Sequence, residues 1–180
     1  NSLAAAMSNL GMYRKRAGDL AGSEAARVEA AALYQSLYQA DPNNSAYERA
    51  LSANQLALAQ LKNERGDGAE ATRYLALALE HARRLTSADS ISPHLQYLLG
   101  DILMSDAEFK SARKEPELAA ASLNEAIAVY ERLLTANATD ARSRAMLSIC
   151  YSDLGTQLKS QGKYDEALRA ISKAAATIEP

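Results

Sequence analysis

The chain has 180 residues, enough for one domain with a sizeable core, and its net charge is −2. So small a charge gives no general attraction to nucleic acid or to an anionic membrane, which argues against a nucleic-acid partner. Val and Ile are scarce beside Ala, Leu and the other strong helix formers, and this composition argues against a sheet.

A period of 48 residues runs through the chain. Asp41, Asp89 and Asn137 stand at this spacing, each directly after an alanine in a turn-like segment. Four further sets keep the same step without gaps: Leu3, Leu51, Leu99 and Leu147; Gly18, Gly66, Lys114 and Gly162; Ser23, Ala71, Ala119 and Ala167; and Ala30, Ala78, Ala126 and Ala174. The sequence therefore predicts four repeats, at about 1–40, 41–88, 89–136 and 137–180, within one domain that covers 1–180.

Each repeat contains two helical stretches separated at the glycine register of the period. In the fourth repeat Leu147, Tyr151, Leu154 and Leu158 recur at steps of three and four residues, the period of an amphipathic helix. In the third repeat, Pro116 begins the second helix. Helix breaks are predicted near residues 18, 41, 66, 89, 115, 138 and 162. We therefore expect an all-α fold, a right-handed α-solenoid of four antiparallel helix pairs.

Residues 148–180 contain an aromatic residue, then a Leu-Gly pair, then small and large residues at regular spacings, and finally a proline. The matching residues are Tyr151, Leu154, Gly155, Leu158, Gly162, Ala167, Ile171, Ala174 and Pro180. This pattern resembles the tetratricopeptide repeat (TPR), a helix pair of about 34 residues. The repeats here are longer than that, and the additional residues keep helical periodicity, which indicates longer helices rather than an inserted domain.

Long-helix arrays of this kind resemble the TPR-like regions of multidomain bacterial signalling proteins, notably those attached to serine/threonine kinase domains. The chain begins at Asn1 with helical sequence at once, so we expect a fragment of a longer chain. No apolar run approaches the ~18–20 residues that span a bilayer, so we expect a soluble domain without direct membrane insertion. Both a cytoplasmic and an extracytoplasmic location stay open.

The residues that usually carry chemistry do not form a recognisable motif. His81 and His94 lie 13 residues apart without a neighbouring cysteine, so no metal site is predicted. Cys150 lies in an apolar helical run and is expected to be buried and unreactive. The pair Gly162-Lys163 follows a helix and lacks the upstream glycine of a nucleotide loop, so it is interpreted as a turn. We expect no cofactor and no enzyme activity in this fragment, with a catalytic domain elsewhere in the parent chain left open.

In TPR proteins the first helix of each repeat lines a concave face that binds protein or peptide segments. Carried over by position, the resemblance implies a partner-binding surface made of Met12, Lys15, Arg16, Leu56, Gln60, Asn63, Glu64, Asp101, Met104, Glu108, Ser152, Thr156 and Lys159. Its charge is expected to change along the array, from basic residues in repeat one to acidic residues in repeats two and three. Such a surface suits a protein or peptide partner better than a small substrate.

The leading functional hypothesis is a protein–protein interaction scaffold, the docking or sensory region of a larger bacterial signalling protein, with a serine/threonine kinase as one candidate. The alternative is self-association into a homo-oligomer through the ends of the solenoid. The fourth repeat supplies the reason for this alternative, because Ile171, Ala175 and Ile178 form an apolar face that no later repeat covers.

Overall fold

Four residues at one register of the 48-residue period have a left-handed backbone, and each follows the first helix of its repeat. Gly18, Gly66 and Gly162 have φ values of 81°, 81° and 76°, and Lys114 has a φ of 62°. Glycine adopts this conformation without a steric cost from Cβ, which explains three of the four positions. The turn predicted at Gly162 is therefore present.

The structure is a computed structural model that describes residues 2–178, and within them it contains eight α-helices and no strand. The helices are α1 (Ser2–Arg16), α2 (Leu20–Ala40), α3 (Ser45–Glu64), α4 (Gly68–Ala88), α5 (Pro93–Ala112), α6 (Pro116–Ala136), α7 (Ala141–Ser160) and α8 (Tyr164–Ile178). All the predicted breaks fall between these helices, so the all-α prediction is confirmed. Pro180, the last residue of the TPR-like pattern, lies outside the described residues.

Polar caps and prolines determine where several helices begin. Asp19, Asp67 and Asp140 each precede a helix, and a carboxylate oxygen of each accepts a hydrogen bond from a first-turn amide. Pro93 and Pro116 are the first residues of α5 and α6, where a missing amide hydrogen costs no hydrogen bond. Local sequence is therefore sufficient to place these helix starts.

Small residues pack where the two helices of a repeat approach each other. Two sets of positions that recur every 48 residues are buried. The first set is Ser23, Ala71, Ala119 and Ala167, and the second is Ala30, Ala78, Ala126 and Ala174. The Ser52 hydroxyl donates to the Ala78 carbonyl at 2.9 Å, and the Ser148 hydroxyl donates to the Ala174 carbonyl at the same distance. The same contact therefore recurs two repeats apart.

Gly100 occupies the serine position of this contact in the third repeat, and Tyr130 explains the substitution. A Cβ atom on Gly100 would lie 2.6 Å from Cζ of the Tyr130 ring, closer than packed atoms tolerate. Tyr130 is fully buried, and its hydroxyl donates to Asp101 Oδ1 at 3.0 Å. The third repeat therefore has room for the large Tyr130 ring because Gly100, opposite the ring, has no side chain.

The helices group into two compact units, residues 1–89 and residues 90–180. Unit 1 contains the pairs α1/α2 and α3/α4, and α2 packs against α3. Unit 2 contains the pairs α5/α6 and α7/α8, and α6 packs against α7 in the same way. Repeated packing of this kind characterises an α-solenoid, the predicted fold class. The handedness and the assignment of all 180 residues to one domain stay predictions.

Candidate functional site

In unit 1, side chains of the two first helices, α1 and α3, contact each other directly. The Ser8 hydroxyl donates to Asn54 Oδ1 at 2.7 Å. Near the other end of α1, Lys15 Nζ lies 2.8 Å from Glu64 Oε2. Lys15 and Glu64 belong to the predicted binding surface, so the structure brings residues from two repeats of that surface together.

The ion pair between Lys15 and Glu64 changes the charge expected of this surface. On sequence alone, Lys15 belongs to a basic part and Glu64 to an acidic part, each available to a partner. In the structure their opposite charges lie 2.8 Å apart and largely offset each other. The prediction of separate charges here is therefore wrong, because first helices of consecutive repeats are neighbours and their side chains can pair.

The other predicted residues of unit 1 combine polar and apolar surface. Arg16 and Gln60 are exposed, whereas Met12, Leu56 and Asn63 are half-buried. A half-buried methionine is a flexible apolar side chain that can adapt to different contacts. Unit 1 therefore offers an adaptable surface with little net charge beyond Arg16.

In unit 2, α5 and α7 are linked by a polar cluster at Asp101. Arg142 Nη2 lies 2.8 Å from Asp101 Oδ2, and the Arg142 guanidinium stacks 4.2 Å from the centre of the Tyr97 ring. Tyr130 also donates to Asp101, and the half-buried Met104 places its sulfur 3.6 Å from the same Tyr130 oxygen. Asp101 therefore has an internal cation, and the prediction that it offers a free negative charge to a partner is wrong.

A cavity of about 420 Å³ lies between α5 and α7, towards the C-terminal ends of these helices. Its lining residues, apolar and polar together, are Ala107, Glu108, Ser111, Ala112, Leu123, Asp153, Thr156 and Gln157. The Gln157 amide donates to the Ser111 hydroxyl at 3.0 Å, which joins the two first helices beside the cavity. Glu108 and Thr156, both predicted binding residues, are thus brought to one cavity from different repeats.

Two carboxylates give this cavity a negative charge. Among residues 2–178, neither Glu108 nor Asp153 forms an ion pair. Partial burial raises the pKa of the Asp153 carboxyl, because desolvation disfavours its charged form. A cation in the cavity would offset that cost, so the electrostatics favour a positively charged group there.

The remaining predicted residues lie on α7 beside the cavity. Ser152 and Lys159 are exposed, about one turn to either side of Thr156. The Thr156 hydroxyl donates to the Ser152 carbonyl at 3.3 Å. These three side chains therefore share one face of the helix, next to the cavity lining.

The structure of BtubC (BKLC) from P. vanneervenii matches this chain with a TM-score of 0.78 at 17% sequence identity. The two proteins share a fold. The match covers 97% of this chain, which spans 63% of the length of the BtubC chain. An identity this low shows the fold alone.

Two further structural matches have TM-scores below 0.5. A tetratricopeptide repeat protein from Parabacteroides merdae is 16% identical over 100% of this chain and 82% of its own, with a TM-score of 0.42. MamA is 19% identical over 97% of this chain and 91% of its own, with a TM-score of 0.36. No protein-family model matches the sequence, and no curated protein matches it.

A second polar cluster, in unit 1, surrounds the buried carboxylate of Glu48. Its Oε1 accepts a hydrogen bond from Arg84 Nε at 2.7 Å and lies 3.2 Å from His81 Nδ1. The His81 ring packs edge-on against Tyr38, with the ring centres 6.0 Å apart. His81, interpreted from sequence as an ordinary helix residue, is thus part of a mutually satisfied cluster that ties α2, α3 and α4 together.

Cys150 is fully buried, as predicted. Burial raises the pKa of its thiol to about 12, so almost no thiolate exists at neutral pH.

Within residues 2–178, no group of three or more His, Cys, Asp and Glu side chains could hold a metal ion. In the same residues, every helix is too short or too polar to cross a membrane.

Six residues of the cavity lining are absent from the sequence-based site, and two of them, Asp153 and Gln157, lie on α7. The family positions carried over to α7 include Ser152 and Thr156 but skip the residue that follows each. Helical spacing alone could have included Asp153, since it lies three residues before Thr156 and therefore on a nearby part of the helix surface. The hydrogen bond from Gln157 to Ser111 could not be predicted from helical spacing, because it depends on the distance between two repeats.

Proposed function

We propose that the chain is a protein-binding scaffold and that unit 2 holds an extended or helical segment of its partner across α5 and α7. The observation that carries the proposal is the cavity between these helices. It is bounded by side chains from two repeats and lies beside the predicted binding residues on both helices. A cavity of mixed apolar and polar lining suits a peptide side chain with its flanking backbone.

The charge of the cavity supports a basic partner segment. Within residues 2–178, Glu108 and Asp153 lack internal cations, in contrast to Asp101 and Glu64, which are paired. A lysine or arginine side chain of the partner supplies the missing charge, while the apolar part of that side chain contacts Ala112, an exposed apolar residue of the lining. Complementary charge would speed association and select orientation more than it raises affinity.

Peptide selection followed by calorimetry tests this function. Peptides are selected from a random library displayed on phage against the full chain, and their affinities are measured for the wild type and for Glu108→Lys. We expect selected peptides to carry a basic residue, and the charge reversal to weaken binding by about 3–10-fold, the effect of an exposed ion pair turned into a repulsion. The loss should shrink at high salt.

Glu29→Lys is the matched control, because Glu29 is an exposed carboxylate on the second helix α2. It should leave affinity unchanged. If no peptide is enriched, or if Glu108→Lys and Glu29→Lys behave alike, the proposed binding surface is wrong.

A second candidate function is self-association, and the exposed face of α8 favours it. Leu168, Ile171 and Ile178 are large apolar side chains with 67%, 49% and 65% of their surface exposed. Several such residues on one helix form an apolar patch of the kind found at protein interfaces. Light scattering over a range of protein concentrations tests this candidate, which predicts a mass that rises with concentration.

We further propose that the chain is a docking or sensory region of a larger bacterial signalling protein, without catalytic activity of its own. The support is the resemblance of the 48-residue repeat to TPR-like regions attached to serine/threonine kinase domains. The sequence of the complete gene tests this context directly. A parent gene without any signalling domain would contradict it.

A further inference from the structure

Arg27 of α2 is a charged residue at a position that is apolar in the other three repeats. The residues one, two and three periods later are Leu75, Leu123 and Ile171. Leu75 and Leu123 are buried, with 3% and 2% of their surface exposed, and Arg27 is half-buried. The first repeat therefore places a cation where the second and third repeats place core leucines.

The Arg27 side chain lies against α1 at Gly11. A Cβ atom on Gly11 would be 2.7 Å from Arg27 Cγ, so the glycine makes room for the arginine. The fourth repeat has the same arrangement, since a Cβ atom on Gly155 would be 2.6 Å from Ile171 Cγ1. An apolar side chain thus fits against a glycine at this position, and packing alone does not require an arginine.

Within residues 2–178, the Arg27 guanidinium has no carboxylate partner. Its Nε atom is buried and forms no hydrogen bond in these residues. Glu24, three residues earlier on the same helix, pairs instead with Lys62 and Arg65 of α3. A buried polar group without a partner destabilises a fold, so Arg27 leaves part of its hydrogen-bonding capacity to a ligand.

The direction of the pKa shift at Arg27 agrees with this absence of a partner. Burial lowers the pKa of Arg27, because desolvation disfavours the charged guanidinium. The hydrogen bond to Glu48, by contrast, raises the pKa of Arg84. An anion bound at Arg27 would offset the desolvation of its charge.

The repeat period indicates where a ligand reaches Arg27. Leu123, its counterpart in the third repeat, lines the cavity between α5 and α7, and all lining residues come from that repeat or the following one. The corresponding helices around Arg27 are α1, α2 and α3, all within unit 1. Arg16 is exposed and occupies the position of Ala112 in that lining, so it adds a second cation on α1.

From these observations we infer that unit 1 binds an aspartate or glutamate side chain of a protein partner at Arg27, between α1 and α3. The guanidinium presents hydrogen-bond donors in a planar fork that matches the geometry of a carboxylate. The inference rests on the proposed function in taking a peptide segment as the ligand. It adds to that function a site in unit 1 with the opposite charge preference to the cavity of unit 2.

Replacing Arg27 by isoleucine tests the site through both stability and binding. Because Ile171 fits against Gly155 at the same position, Arg27→Ile should fold and should raise the melting temperature by about 2–4 °C. The same change should weaken the binding of acidic peptides about tenfold or more, the effect of losing charge-assisted hydrogen bonds. Arg49→Ile is the matched control, because Arg49 is an exposed arginine on α3 and its replacement removes the same charge.

The probes are displayed peptides that contain Asp and Glu but neither Lys nor Arg. They are selected against the full chain, and calorimetry gives their affinities for the wild type, Arg27→Ile and Arg49→Ile. We expect enriched peptides whose binding weakens in Arg27→Ile and is unchanged in Arg49→Ile. Without Lys and Arg, these peptides cannot supply the cation proposed for the cavity of unit 2.

Three results would overturn the inference. They are a selection that enriches no acidic peptide, equal peptide affinities for Arg27→Ile and Arg49→Ile, and a lower melting temperature for Arg27→Ile, which would make the arginine a structural residue. The proposed function is decided separately by basic peptides and Glu108→Lys. Either proposal can therefore fail while the other stands.

Discussion

Replacing Ala126 by leucine tests whether the repeat register sets the distance between paired helices. Ala126 is fully buried, and at the same register the carbonyls of Ala78 and Ala174 accept hydrogen bonds from serine hydroxyls of the paired helix. Helices this close leave no room for three more carbon atoms. Because alanine and leucine have similar helix propensities, the effect should come from packing alone.

The expected cost of Ala126→Leu is about 1–3 kcal/mol, the usual effect of forcing extra methylene groups into a packed interior. This corresponds to a fall of about 5–150-fold in the folding equilibrium constant. Guanidinium denaturation followed by circular dichroism measures the change. Ala128→Leu is the control, since Ala128 is exposed on the same helix and its substitution should change stability by less than about 0.5 kcal/mol. An unchanged or raised stability for Ala126→Leu would refute the register.

Three further predictions concern single side chains. Cys150 should react with a bulky maleimide only when the chain unfolds, because the thiol is buried and its pKa is raised to about 12; rapid labelling of the folded chain would contradict this. Burial and the hydrogen bond to Glu131 raise the pKa of Tyr151 to about 12, above the unfolded value near 10. The contribution of Tyr151 to the free energy of unfolding should therefore be complete below pH ~10 and disappear as the pH rises to ~12. Unfolding of the wild type and Tyr151→Phe at several pH values checks this, and an identical dependence of stability on pH in the two proteins would count against it. Lys114→Gly should stabilise the chain by roughly 0.5–1 kcal/mol, because it removes a left-handed non-glycine residue, while Lys163→Gly should not; calorimetric melting of both variants decides between them.

The helices were predictable because their signals are local and repeat. Glycine at residues 18, 66 and 162 and proline at 116 mark the breaks without knowledge of tertiary structure. The alanines at the packing registers were predictable for a related reason: a constraint on helix distance that recurs every 48 residues leaves a visible period. One exception is Lys114, whose left-handed backbone follows from its register rather than from its residue type.

The charges of the candidate site were less predictable, because they depend on distances between repeats. Lys15 and Glu64 lie on different helices, and only the packing of those helices shows that they pair. Asp101 is similarly balanced by Arg142 of the next first helix. In the part of the chain that the structure describes, Glu108 and Asp153 have no such partners, and nothing in their local sequence distinguishes them from the paired carboxylates.

Mapping a bound peptide onto the backbone amides tests the central claim most directly. The measurement is a titration of the ¹⁵N-labelled chain with a phage-selected basic peptide, followed by two-dimensional NMR. Binding across α5 and α7 predicts that the largest shifts occur at the amides around Ser111 and Thr156, which line the cavity. Shifts confined to α6 and α8, the second helices of the same repeats, would contradict the claim.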